Sequence, residues 1–285
     1  MSAEALSLDD CLESILGRRP VARRPLGGGC IAEVYKVELS DGESCVAKRA
    51  RSGGLAIEGE MLRRLAELSD LPMPDVLHAS DDLLVMSHVE SAGGLNAAAQ
   101  IHAAELLAAL HAITAEAFGF DCDTVIGSLP QPNPWTKSWR DFFRDQRLLA
   151  FGARAHQSGH LPAAVLRKLE AFCSRLDGFI DEPAAPSLIH GDVWDGNLLC
   201  RGGRIAAFLD PAIYYADPEI ELAFSTLFGT FGEAFFRRYR EIRPLAPGFF
   251  ETRRDIYNLY PLLVHTTLFG GHYAAAVDRT LSRYG

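Results

Sequence analysis

Several protein classes are excluded by what this sequence lacks. Its six cysteines (Cys11, Cys30, Cys45, Cys122, Cys173 and Cys200) are scattered, with no Cys-x-x-Cys pair and no histidine at ligand spacing. That argues against a zinc site or a disulfide framework and fits reduced thiols. No stretch reaches the roughly 20 apolar residues of a membrane helix. The first ten residues are acidic and lack the basic start and apolar core of a secretory signal, so a cytoplasmic protein with no membrane partner is expected. Basic residues are in deficit, 28 against 37 acidic, for a net charge of -9. Without a basic stripe to track phosphates, nucleic acid is not an expected partner. Internal repeats and low-complexity tracts are also missing.

What remains is the composition of a folded chain, 48% hydrophobic and 23% charged, long enough for one large domain or two lobes sharing a cleft. Gly27-Gly28-Gly29 precedes a strand pattern over Ile31 to Leu39. A turn at Ser40-Asp41-Gly42-Glu43 and a second strand, Ser44 to Arg49, complete a hairpin. Leu55, Leu62, Leu65 and Leu68 recur at helical spacing and predict an amphipathic helix over 55–68, and 82–89 reads as a strand. Past Gly93-Gly94 the pattern turns helical, with segments predicted at 97–115, 139–155, 161–180, 218–228, 233–240 and 251–269. The sequence therefore divides into residues 1–91, rich in strand, and 92–285, mainly helical, with a strand-and-loop insert over 187–210.

That insert carries the chemistry. His190-Gly191-Asp192-Val193-Trp194-Asp195-Gly196-Asn197 puts an aspartate and, five residues on, an asparagine in one irregular stretch. In phosphoryl transfer such an aspartate (Asp192) orients the attacking hydroxyl and accepts its proton, while the asparagine (Asn197) holds magnesium. Asp210 ends an apolar run and is placed to bridge magnesium to nucleotide phosphates. Pro211-Ala212 follows it, which suggests a fixed metal loop. Alone, these residues also suit a loop whose side chains cap local backbone.

Kinase order strengthens the catalytic reading. Lys48, in the apolar strand Cys45-Val46-Ala47-Lys48, is costly to bury unpaired. A kinase uses such a lysine to hold ATP phosphates, paired with a helix glutamate. Glu58 is the expected partner because it lies on the buried side of its helix, whereas Glu60 falls near Arg64. Gly27, Gly28, Gly29 and Cys30 would cover the nucleotide, glycine letting backbone amides approach phosphate. Met86 to His88 end a strand at the lobe boundary, where backbone groups could bond adenine; an ordinary strand end is the alternative. A lowered thiol pKa at Cys30 would make ATP binding sensitive to oxidation, unless the residue is there only for its size.

Over almost its whole length the chain resembles the fructosamine kinase family. The likeness rests on Gly27-Gly28-Gly29-Cys30-Ile31, Asn133-Pro134-Trp135 with Trp139, Phe142-Phe143 and Arg147, and the 190–197 loop with its diagnostic Trp194. Leu209-Asp210-Pro211-Ala212, Tyr214-Tyr215, Tyr257 to Tyr260 and His265 to Tyr273 complete it. The resemblance implies an α+β, bilobal, protein-kinase-like fold with a small β-rich lobe and a larger helical one. It implies ATP and Mg2+ as cofactors, and a ketoamine sugar, free or on a protein, phosphorylated at its 3-hydroxyl. The unstable 3-phosphate then eliminates and frees the amine, which repairs glycation. It also implies Trp194 and Asp195 near the sugar. Trp135, on a proline-flanked loop, is a further candidate for that wall, while Phe142, Phe143, His111 and His265 read as structural. The chain departs from the family pattern at Val193, Ala216, Glu221 and Phe228-Gly229-Thr230-Phe231. Two other functions stand beside this one: a kinase for another hydroxyl, such as an aminoglycoside, choline or homoserine, and a catalytically silent binding protein. The presence of Lys48, Glu58, Asp192, Asn197 and Asp210 weighs against silence.

Overall fold

The computed structural model describes residues 7–27, 32–50 and 53–284. Helix α1 (Leu8–Leu16) is closed at its start by a capping box between Ser7 and Asp10 and at its end by left-handed Gly17. The sequence pattern does not announce it, because only Leu8 and Leu12 of its residues are fully buried. Strands β1 (Pro20–Pro25), β2 (Glu33–Leu39) and β3 (Ser44–Arg49), helix α2 (Leu55–Leu68), and strands β4 (Val76–Ala79) and β5 (Leu83–Ser87) follow. They form an antiparallel sheet in the order β1-β2-β3-β5-β4. Strand β1 is exposed and carries Arg23-Arg24, so no apolar alternation marks it; the glycine run thus falls between two strands.

One face of the sheet buries Val37, Leu39, Cys45, Ala47, Leu83 and Val85 against Leu8 and Leu12 of α1. The other packs Leu84 and Met86 against Leu55 and Leu62 of α2. This period-two sorting leaves Lys48 on the α2 side, directly opposite Leu84. Gly59 lets the helix close on the sheet, since a Cβ there would stand 2.5 Å from that of Ala79.

Helix α3 (Ala97–Leu110) opens the helical part with an Asn96 cap. A short hairpin, β6 (Thr124–Ile126) and β7 (Leu129–Gln131), precedes α4 (Trp139–Phe142), which widens into a π-helical stretch at Phe143–Leu149 before α5 (Ala150–Gln157) and α6 (Ala163–Cys173). Arg147 sits in that widened turn, fully buried. Its guanidinium lies 4.0 Å from the Tyr214 ring centre and 4.6 Å from that of Phe142, and it donates to Asn133 Oδ1 at 2.6 Å and Pro132 O at 2.8 Å. The Asn133, Phe142 and Arg147 positions of the sequence motif are therefore one structural unit. Phe142 and Phe143 are core residues.

Four short strands build the insert: β8 (Ser187–Ile189), β9 (Leu198–Arg201), β10 (Arg204–Phe208) and β11 (Tyr214–Ala216). Then come α7 (Glu219–Leu227), α8 (Glu233–Ile242), a second π-helical stretch at Phe249–Arg253, α9 (Arg254–Tyr257), α10 (Leu259–Phe269) and α11 (His272–Tyr284). The helix predicted over 251–269 is broken near Asn258, and α11 extends beyond the predicted elements. Among the described residues no helix is long and apolar enough to cross a membrane.

Candidate active site

Strand pairing brings the two acidic segments together. Antiparallel β8–β11 sets Ile189 opposite Tyr214, and β9–β10 sets Leu198 opposite Phe208. The loop 190–197 joins β8 to β9 and the loop 209–213 joins β10 to β11, so the two loops must run side by side. Ala212 N donates to His190 O at 2.7 Å, and Leu209 N donates to Asn197 O at 2.9 Å. Contact is so close that a Cβ on Gly191 would fall 2.1 Å from Ala212 O, and Gly191 also has φ +88°. Only glycine meets both demands. Gln131, at the end of β7, donates through Nε2 to Ala212 O at 3.1 Å and steadies the second loop.

Within this frame Asn197 Nδ2 donates to the Asp192 carboxylate and to its carbonyl, both at 2.9 Å. His190 is fully buried, and its Nδ1 accepts the Asp192 N–H at 3.3 Å. Burial holds that imidazole below its ordinary pKa, so it orients the loop as a neutral ring. Asp210 is the one described non-glycine residue with positive φ, +51°. Such strain is characteristic of loops that must aim a side chain.

Lys48 Nζ donates to both Glu58 oxygens, at 2.8 and 2.9 Å, and to Asp210 Oδ2 at 3.2 Å. The expected Lys48–Glu58 pair is formed, and it reaches Asp210 as well. Burial alone would lower the lysine pKa, but the Asp210 and Glu58 carboxylates overcome it and keep the ammonium charged. Two carboxylates then share one cation. Burial and Asp210 push Glu58 up to about 7 against the pull of Lys48. Burial, then the Asp210 charge, likewise push Asp192 up to about 7, with the Asn197 hydrogen bond opposing. The site carries more negative charge than Lys48 can balance, which is the electrostatic setting for a divalent cation. Asn197 spends its Nδ2 on Asp192, which leaves its Oδ1 as an acceptor for such an ion. Among the described residues no cluster of three or more His, Cys, Asp or Glu side chains could cage a metal alone. A cation here would complete its shell with water and phosphate oxygens, which is the habit of magnesium.

The remaining candidates are dispersed. Gly27 is exposed, and Gly28, Gly29 and Cys30 lie outside the described residues. Met86 is buried between Val46 and Val76 in the sheet; His88, just past β5, is half-buried with Glu90 at 3.8 Å. Trp194 and Asp195 are exposed on the loop, and the Trp194 ring lies across Gly196, where a Cβ would stand 2.3 Å from it. Trp135 lies on a separate loop. It packs on Tyr215 with ring centres 6.0 Å apart, Phe120 covers the same tyrosine, and no aromatic contact among the described residues joins Trp135 to Trp194. In β11 the alternation sends Tyr214 inward to Arg147 and Tyr215 outward to Trp135.

A buried network supports the loop from behind. Glu221 Oε1 accepts the Gly191 N–H at 2.6 Å, Glu221 Oε2 lies 2.8 Å from His111 Nε2, and His111 Nδ1 lies 2.7 Å from the Tyr239 hydroxyl. All three side chains are buried. His111 is structural, but its partners are 110 and 128 positions away, and no local signal connects them.

The family model for fructosamine kinase matches residues 9–284. A "probable ketoamine kinase" of Synechocystis is 36% identical, the match covering 92% of this chain and 89% of that protein. A chloroplastic protein-ribulosamine 3-kinase of Arabidopsis thaliana is 29% identical over 91% of this chain and 81% of its own length. A Thermobifida fusca crystal structure assigned as a fructosamine-3-kinase superposes with a TM-score of 0.84 at 30% identity, covering 98% of both chains. An aminoglycoside phosphotransferase solved with ADP and hygromycin B, at 20% identity and a TM-score of 0.65 over 96% of this chain and 99% of that one, shares the fold.

Proposed function

Because the chain belongs to the fructosamine kinase family, we propose that it transfers the γ-phosphoryl group of ATP to the sugar 3-hydroxyl of a ketoamine, a ribulosamine or fructosamine, in glycation repair. One observation carries this reading: Lys48 bonds both Glu58 and Asp210, Asn197 bonds Asp192 on the loop that bears Trp194, and the Leu209 N–H to Asn197 O bond ties the two loops together. Lys48, held by Glu58, meets the nucleotide phosphates. The glycine run from Gly27 to Cys30 covers them, and the backbone from Met86 to His88 meets adenine. The lobe boundary falls at 91/92, after β5 and before α3.

Asp192 receives the hydrogen bond of the acceptor hydroxyl, aligns its oxygen with the γ-phosphorus and takes its proton as the new O–P bond forms and the bond from that phosphorus to the bridging oxygen of departing ADP breaks. Asn197 holds the Asp192 carboxylate in place through Nδ2. Magnesium, held by Asn197 Oδ1 and the Asp210 carboxylate, would neutralise charge on the phosphates. Trp194 and Asp195 face the sugar; Trp135, committed to Tyr215, stands outside this group. The free cysteines among the described residues, Cys11, Cys45, Cys122, Cys173 and Cys200, support a reducing, cytoplasmic setting.

The test is ATP consumption with magnesium and a panel of acceptors: a ribulosamine, a fructosamine, an aminoglycoside, choline and homoserine. Turnover confined to the ketoamines is expected. Turnover confined to another acceptor would replace this reading.

A further inference from the structure

From Trp194 on the 190–197 loop a file of aromatic rings runs to α10 and α11. The Trp194 and Phe228 rings meet at 6.2 Å, Phe228 and His265 at 5.1 Å, His265 and Tyr273 at 4.9 Å, and Phe269 closes on both His265 and Tyr273, at 5.7 and 6.3 Å. These rings come from four elements: the 190–197 loop, the end of α7, α10 and α11. His265 and Phe269 are one helical turn apart, so they share a face of α10. This is a protein that buries most of its large aromatics, yet Trp194 is 38% exposed, Phe228 43% and Phe269 50%. Three exposed large rings in one file form an apolar surface of the kind that marks a binding site.

Geometry says what it would meet. Lys48 and Asp210 place the phosphates on one side of Asp192, and the acceptor oxygen must approach from the opposite side for in-line transfer. A ketoamine bound there has its nitrogen two carbons from the reacting C3, and whatever the nitrogen is attached to must leave past Trp194. The nitrogen of an aliphatic ketoamine is a secondary ammonium. Aromatic faces attract such a cation, the exposed Asp195 carboxylate adds to that attraction, and methylenes gain from burial on the rings beyond. Burial holds His265 below the usual histidine range, and its Nδ1 is already bonded to Pro261 O at 2.8 Å, so this ring does not oppose a cation; His272, its ring 4.1 Å from that of Tyr273, also borders the shelf.

We infer that Phe228, Phe269 and Tyr273 form a specificity shelf that binds the aliphatic arm carrying the ketoamine nitrogen. This rests on the ketoamine reading and adds to it the residues that discriminate between amines. An acceptor whose sugar sits on a lysine side chain of a peptide gains the whole shelf. An acceptor bearing a bare primary amine gains almost none of it.

The experiment measures kcat and KM for two acceptors, a ribulosyl-lysine peptide and 1-amino-1-deoxyribulose, in the wild type and in Phe269→Ala, Tyr273→Ala and Phe269→Tyr. Thermal unfolding confirms that each variant is folded. Phe269→Ala and Tyr273→Ala should each raise KM for the peptide about tenfold, with kcat within about twofold and the peptide-to-bare-amine ratio of kcat/KM falling about tenfold. Phe269→Tyr should restore the ratio. Equal losses on both acceptors, or an unchanged ratio, would overturn the shelf while leaving the ketoamine reading in place. A wild-type enzyme that turns over neither acceptor removes the ketoamine reading and the shelf with it.

Discussion

Glu221 accepts the backbone N–H of Gly191 at 2.6 Å, one residue before Asp192. Through its second oxygen it is tied to His111, and through His111 to Tyr239, so α3, α7 and α8 together set the position of the loop. Both Glu221 oxygens are thus used, one on Gly191 and one on His111.

Glu221→Ala leaves a buried N–H and a buried imidazole without their partner. Stability should fall by about 3 kcal/mol, and kcat by at least about tenfold, while KM for ATP changes little. Urea unfolding and steady-state kinetics check this, and a kcat within twofold of wild type would contradict it.

Lys48→Met removes the cation shared by Glu58 and Asp210, and kcat should fall about 100-fold or more. Glu58→Gln keeps the lysine but loosens it from α2, so KM for ATP should rise with a smaller loss in kcat. Comparison of the two by initial-rate kinetics separates charge from positioning.

Gly191 and Gly202 both have positive φ, +88° and +58°, but only Gly191 has a carbonyl where a Cβ would go. Gly202→Ala should cost about 1–2 kcal/mol from backbone strain alone. Gly191→Ala should cost at least about 3 kcal/mol because Ala212 must also move, and it should abolish activity. Equal costs in urea unfolding would argue against the close approach of the two loops.

Asp217 is buried, accepting from the Tyr257 hydroxyl at 2.6 Å and from Glu219 N at 2.9 Å. Burial and the Glu219 charge push its carboxyl up to about 7, above the ordinary value of 3.8. A raised acid binds its proton more tightly when folded, so its contribution to stability is full below about pH 4 and is lost as pH rises through 7. Asp217→Asn should therefore gain on the wild type in Tm as pH moves from 4 to 8. A Tm difference independent of pH would contradict the assignment.

Much of this site was readable because its parts are local. The 190–197 loop, Lys48 in its strand and the helix over 55–68 each declare themselves by spacing within a few residues, and α2 begins and ends where the leucine period does. Helix α1 and strand β1 escape because the first buries little and the second is a polar edge. The widened turn at Arg147 escapes because a π-helical register leaves no pattern that four-residue periodicity can detect. The Glu221–His111–Tyr239 relay is written in three distant helices and becomes visible only when they meet. Trp135 and Trp194 look alike as exposed-loop tryptophans, and only the outward face of β11 shows that Trp135 is committed to Tyr215.

In the proposed reaction Asp192 directs the phosphoryl group to the hydroxyl next to a ketoamine carbonyl. Phosphorus and carbon NMR of a ribulosamine incubated with enzyme, ATP and magnesium tests it most directly. A phosphate monoester at C3 should appear, then decay with release of the free amine, and neither should form with Asp192→Ala. A phosphate on any other carbon, or the same product from Asp192→Ala, would contradict the account.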